Sequence, residues 1–343
     1  LNVQGEADPG QVAIWKIAIN YPTQIFDVGE VLGTGTKPQD PLLLGNHSTN
    51  LVYYAKWDRE TKKFSLVRWY GSFRGFSSVN ISQNGWVYID GYWWKWEDEA
   101  VSPPRFANIA RARGQGAFHK GYFSALATRK NKGGITVALI AKPAPGRYSA
   151  KAWPSWRLPF VKSAGYDVWI KNGQPIKAFA VDAEGKNVWT AKINKRAFRP
   201  VKKSWSRLTL PVSLRAPGDL RVTATGDLFL VDGSGIYHFK NVKGRYKKAW
   251  YLSEWGGSSK ERFGKNIRMT HDGLALVVAD TERHRLLWFN SKTKTFLAQL
   301  GETDTPGDDP FHVNRPDEVS LAGSRLVVAD EENQRVLKCE LRP

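Results

Sequence analysis

What is scarce in this chain narrows it quickly. Among 343 residues there is one cysteine, Cys339, and one methionine, Met269. A single thiol excludes an intramolecular disulfide framework and a zinc site built from cysteines alone. No apolar run approaches the ~20 residues that a membrane-spanning helix needs, so no span is expected. No stretch carries an apolar stripe at helical spacing, which leaves little room for helices. Acidic residues are also few: 32 Asp plus Glu face 51 Lys plus Arg, a formal charge of +19. Signatures of nucleotide binding and of serine nucleophiles are missing. Gly33-Thr34-Gly35-Thr36-Lys37 lacks the spacing of a phosphate-binding loop and opens no helix, and Gly233-Ser234-Gly235 reads as a turn. Of the six histidines (His47, His119, His238, His271, His284, His312) no two stand at the two- or four-residue spacing of a metal pair.

The chain begins at Leu1 and its one Met is Met269, so an upstream segment is expected to have been removed; a cleaved secretion signal is one reading and simple trimming of the chain the other. A lone thiol suits an oxidising compartment. The expected location is extracytoplasmic or secreted.

What is present repeats. Leu-Val-Val-Ala-Asp occurs at Leu276 to Asp280 and again at Leu326 to Asp330, an offset of 50. Gly273 and Gly323 precede the two copies at equal distance, and Arg285-Leu286-Leu287 answers Arg335-Val336-Leu337. The same pattern stands at Gly226 to Asp232 and at Gly85 to Gly91. Weaker copies fall at Ile135 to Ala138 and at Ala178 to Asp182, and Leu42 to Asn46 followed by Leu51 to Tyr54 opens the series. These seven anchors imply units of about 49 residues. Within a unit, a glycine turn precedes an apolar run, an Asp-containing turn follows, and two further strands flank a polar hairpin such as Ser291 to Thr295. With 31 Gly, 18 Pro and 13% aromatics, the expected fold is all-β: four-stranded antiparallel sheets repeated radially as a β-propeller, in one domain spanning 1–343. The C-terminal unit lacks a fourth strand, and Val12 to Ile19 can supply it, which would close the ring and remove two sheet edges.

Asn314-Arg315-Pro316-Asp317-Glu318-Val319, then Gly323, Leu326 to Asp330, Asn333 and Arg335-Val336, resembles an NHL repeat. Asn266 to Phe289 is similar, while Asp219 to Phe239 and Ser77 to Trp96 match in part, so about half the chain carries the resemblance. NHL propellers commonly have six blades; the anchors here give seven, with six as the alternative. The resemblance implies RNA- or protein-binding modules, or lyases and lactonases with a metal at the central channel. Other propellers of this size serve as non-catalytic subunits beside multihaem cytochromes. Fold alone does not choose among them.

Asp219, Asn266, His312, Asn314 and Asp317 are expected just before the first, inner strand of a unit, where a propeller points residues at its axis, and an oxygen-rich set of that kind suits Ca²⁺. The alternative is that they are turn residues that begin strands, and no cofactor is required. The Asp closing each anchor (Asp90, Asp182, Asp232, Asp280, Asp330) recurs once per unit, which points to acceptance of backbone N–H groups rather than to acid catalysis. Arg285 and Arg335 are expected to brace neighbouring units.

The excess positive charge has a place. Lys62-Lys63; Lys195, Arg196, Arg199, Lys202 and Lys203; Lys243, Arg245, Lys247 and Lys248; and Lys292 with Lys294 all fall at or beside the turn between the third and fourth strands. Corresponding turns of a propeller share a rim, so a basic arc is expected, with Phe198, Trp205, Tyr246, Trp250 and Tyr251 interleaved. The leading reading is a non-catalytic scaffold that docks an acidic protein, within a larger complex such as one with a multihaem cytochrome, or an acidic polysaccharide. One alternative is an extracytoplasmic lyase or hydrolase of an anionic polysaccharide drawing on His119, Tyr122, His312 or Arg315. The other is an RNA-binding module of the NHL type.

Overall fold

A computed structural model gives the fold. N-terminal to residue 160 it describes the backbone of twelve strands; from 160 to 340 it describes the chain apart from 161–162, 173, 195–198, 202–203, 272–273, 310, 323–324 and 334. Two compact units divide the chain, residues 76–251 and residues 1–75 with 252–343.

Pairing is antiparallel throughout the described strands, which form six sheets. In the first unit, three-stranded sheets cover 79–95 and 116–141. A five-stranded sheet covers 163–207, and a four-stranded one covers 217–252, its last strand, Arg245–Leu252, ending just across the division. The second unit holds a four-stranded sheet over 267–300 and a nine-stranded one. The nine-stranded sheet orders Pro316–Ala322, Arg325–Asp330, Arg335–Glu340, Ala13–Ala18 and Asn2–Gln4, then continues into the four strands between Val28 and Tyr70. Ala13–Ala18 therefore pairs with the last strand, from Ala13↔Glu340 to Ile17↔Val336.

The anchors are second strands for a physical reason. Leu228–Asp232 and Ala275–Asp280 are buried at every position, so both faces demand apolar side chains and the run is continuous rather than alternating. One anchor is displaced. Ile135–Ala141 is the third strand of its sheet, and the second is Tyr122–Thr128. The second strand there mixes Ser124 and Thr128 with alanines, so the third strand, richer in β-branched and leucine residues, looked more like the repeat.

Apolar clusters join sheets within each unit. Phe179, Val181 and Val188 of the 163–207 sheet pack with Leu220, Leu228, Leu230 and Phe239 of the 217–252 sheet. In the other unit Val277, Leu286 and Trp288 pack with Val319, Leu326, Val328 and Leu337. Each such side chain contributes on the order of 1.5–3 kcal/mol through the surface it removes from water. Gly226 turns the chain beside the first cluster at φ +86°, and a Cβ there would stand 2.6 Å from the Trp169 ring. Gly226→Ala is expected to cost about 1–3 kcal/mol, read as a lower urea midpoint, since both the dihedral and the indole oppose it.

Candidate functional site

The repeated aspartates bind backbone. Asp232 Oδ1 accepts from the N–H of Ala216 (2.6 Å) and Arg215 (2.9 Å). Asp280 Oδ1 accepts from Gly264 N–H at 2.9 Å, and Asp330 Oδ1 from Asn314 N–H at 2.6 Å. Each thus ties the end of a second strand to the loop that enters the first strand of the same sheet. Asp182 differs, taking the N–H of Gly185 in its own turn at 2.8 Å. Asp90 lies outside the described residues. Arg285, fully buried, pairs with Asp280 through Nε at 3.0 Å and Nη2 at 2.9 Å. It also donates to the carbonyls of Lys260 and Arg262 and to Thr303 Oγ1, with its guanidinium 5.0 Å from the centre of the Trp255 ring. Burial pushes the Asp280 carboxyl up and the Arg285 guanidinium down, and each partner opposes that shift in the other. Arg285 thus locks the loops flanking its own sheet; the side chain of Arg335 is outside the described residues.

Four of the five candidates for an axial cation have engaged side chains, and Asn314 is held through its backbone N–H. Asp219, buried, accepts from Leu220 N–H (2.9 Å) and from Arg221 Nη1 (2.6 Å). Asn266 Nδ2 reaches Glu282 at 3.4 Å, Asn314 is held by Asp330, and Asp317 stands 3.9 Å from Arg268. His312 Nδ1 lies 2.6 Å from Asp309, whose carboxyl is lowered, its hydrogen bonds from Phe311, His312 and the imidazole outweighing the burial that raises it. Arg315 places its Nε 3.7 Å from Glu332. Asp219 belongs to the unit of residues 76–251 and the other four to its counterpart. Among the described residues no group of three or more His, Cys, Asp or Glu could hold a metal ion. His119 and Tyr122 are partners in the backbone register, and their side chains are outside the described residues.

Two basic turns each gather uncommitted charge. Lys243 and Gly244, both at positive φ (52° and 86°), form the two-residue connection between Ile236–Val242 and Arg245–Leu252. Lys243, Arg245, Lys247 and Lys248 are exposed around it, while Tyr246 between them turns inward and donates its hydroxyl to Gly226 O at 3.1 Å. Burial, with Asp227 nearby, raises the Tyr246 phenol. In the 267–300 sheet the corresponding connection is folded by Asn290, whose Oδ1 accepts from Lys292 and Thr293 N–H at 2.9 and 3.0 Å. Lys292 and Lys294 are exposed there. None of these six side chains is in an ion pair among the described residues. By contrast Arg221, Arg262, Arg268, Arg283, Arg285 and Arg315 each face a carboxylate. Lys195, Arg196, Lys202 and Lys203 lie outside the described residues; of Arg199 only the backbone is described, in a short strand paired with Asn187–Asn194.

Two features escaped sequence reasoning. Asp167, buried on the first strand of the 163–207 sheet, accepts Val222 N–H at 2.8 Å and so stitches that sheet to the next; no repeat position marks it. His238 is buried between Phe229, stacked at 4.6 Å, and Trp250, at 5.0 Å, and burial holds its imidazole below the usual histidine range. In sequence it was one histidine among six.

The chain is similar to YCF48 bound to D1 peptide (TM-score 0.61, 13% identity, 98% of this chain and 99% of that one). It is similar to hydrazine synthase of Kuenenia stuttgartiensis (0.60, 11%, 94% and 97%) and to the β-propeller domain of Swd1 from Myceliophteria thermophila (0.56, 14%, 95% and 100%). The fold is a β-propeller. No family model and no curated protein sequence matches the chain. At these identities the likeness speaks for fold only.

Proposed function

We propose that the protein is a non-catalytic binding propeller that docks an anionic partner, an acidic protein first and a polyanion second, through the lysine- and arginine-rich turns between third and fourth strands. One observation carries this reading: Lys243, Arg245, Lys247, Lys248, Lys292 and Lys294 are exposed, gathered in two corresponding turns and outside ion pairs among the described residues, while Arg221, Arg268 and Arg285 each face a carboxylate. Uncommitted charge raises encounter rates with an oppositely charged partner and costs no broken pair on binding. In this reading the turns share one rim of a seven-bladed ring of NHL-like units in an extracytoplasmic setting. The seven blades follow if the nine-stranded sheet counts as two, since its halves meet only at Asn2↔Lys63. Ala13–Ala18 then serves as the closing strand. A propeller similar in fold, YCF48, has been solved with a peptide bound, a precedent for this use.

Retention on immobilised polyglutamate, titrated with salt, tests the reading. Lys243→Glu/Lys247→Glu/Lys248→Glu is expected to weaken binding about tenfold at low salt and much less at high salt, with an unchanged melting temperature because all three are exposed. Binding that ignores both salt and charge reversal would refute it.

A further inference from the structure

We infer that the outer edge of the 267–300 sheet is a docking strand, which an extended acidic segment of a partner protein joins beside Phe296–Leu300. The partner's charge rests on the reading above; the place and mode of contact go beyond it.

Phe296–Leu300 pairs on one side only, with Arg285–Asn290, from Leu286↔Leu300 to Phe289↔Phe296. Among the described residues no strand lies on its other side. An open edge is a template for a further strand, and proteins usually blunt it with charge. The outer strand of the 217–252 sheet is blunted in this way, by Arg245, Lys247 and Lys248. Phe-Leu-Ala-Gln-Leu carries no charge, and it exposes Phe296 (37%) and Leu297 (55%). The register slips between Trp288 and Phe289, which leaves Leu297 as the extra residue of a bulge. Phe296 is held from behind, stacked on Trp255 at 5.9 Å with 13° between the planes and set against Phe289 at 5.8 Å. A ring fixed in advance loses little freedom when a partner covers it.

The charge of the occupant follows from the same corner of the sheet. Lys292 and Lys294, exposed and unpaired by any described carboxylate, lie in the turn that feeds this strand. Leu274, 69% exposed, is at the same end, its carbonyl accepting Ser291 N–H at 2.9 Å. A segment that continues the ladder with backbone bonds, seats apolar side chains on Phe296 and Leu297, and ends in acidic residues matches all three elements. A polysaccharide has no backbone N–H groups to continue the ladder.

The probe is a short fluorescein-labelled peptide alternating valine and threonine, with glutamates at one end. Its control has the same ends with prolines at alternate positions, which cannot pair. The intact chain is expected to bind the first peptide at least about tenfold more tightly than the second, with slower amide hydrogen exchange across 296–300. Leu297→Lys is expected to abolish the preference without moving the melting temperature, as the side chain is exposed. Equal binding of both peptides, no binding of either, or indifference to Leu297→Lys overturns the docking strand. Polyglutamate retention that still falls on reversal of Lys243, Lys247 and Lys248 would then leave the basic-turn reading standing. Preferential binding of the first peptide with no polyglutamate retention would instead uphold the docking strand and remove the basic turns as the anion site.

Discussion

Arg285→Met is expected to destabilise the protein by about 3–5 kcal/mol at neutral pH, read as a lower denaturant midpoint with unchanged slope. The substitution removes five donated hydrogen bonds, but the larger cost is what it leaves behind: Asp280 is wholly buried, and its remaining described partner is the N–H of Gly264. Asp280→Asn/Arg285→Met is expected to recover part of the loss, since a neutral amide needs no counter-ion. A pH series separates this account from simple loss of packing. In Arg285→Met the folded-state pKa of Asp280 is raised further above its unfolded value, because burial already raises it with the arginine in place. A carboxyl with a raised folded pKa is tolerated while protonated and penalised as pH climbs past the unfolded value near 4. The gap between the single and double variants should therefore widen from about pH 4 to pH 7. A gap independent of pH would mean that Asp280 is not the source of the cost.

The same pair shows how far sequence reasoning reached. Asp280 and Asp330 were legible as structural because they recur once per unit, and Asp232, Asp280 and Asp330 accept backbone N–H groups in equivalent loops. The second strands were legible because burial on both faces leaves an unbroken apolar run, as at Leu228–Asp232. Where that run is diluted, at Tyr122–Thr128, the neighbouring strand was mistaken for it. Lys243 and Lys292 could be assigned to turns from the hairpin pattern, but whether their charge is neutralised depends on residues distant in sequence. Asp317 illustrates the difficulty: it looked like a cation ligand and stands 3.9 Å from Arg268, 49 positions away. The exposure of Phe296 and Leu297 was hidden for a related reason. Five uncharged residues read as a strand, and only the sheet order shows that the strand is outermost.

The second large effect is expected at Trp288. Its side chain is fully buried in the cluster that joins the 267–300 sheet to Pro316–Glu340, among Val277, Leu286, Val319, Val328 and Leu337. Trp288→Ala should cost about 3–5 kcal/mol, the transfer free energy of the indole plus the cavity left in a packed seam. Trp288→Phe is a sharper test. The indole Nε1 is buried without a hydrogen-bond partner, so the native residue already bears the penalty of an unmatched donor. Phenylalanine forfeits volume but removes that donor, and the two effects oppose each other at similar size, about 1–3 kcal/mol each. The expected result is a small net change for Phe beside a large loss for Ala, measured by urea unfolding of both variants. A Phe variant as damaged as the Ala variant would show that the Nε1–H is satisfied in solution, and that the indole holds the two sheets together by more than its bulk.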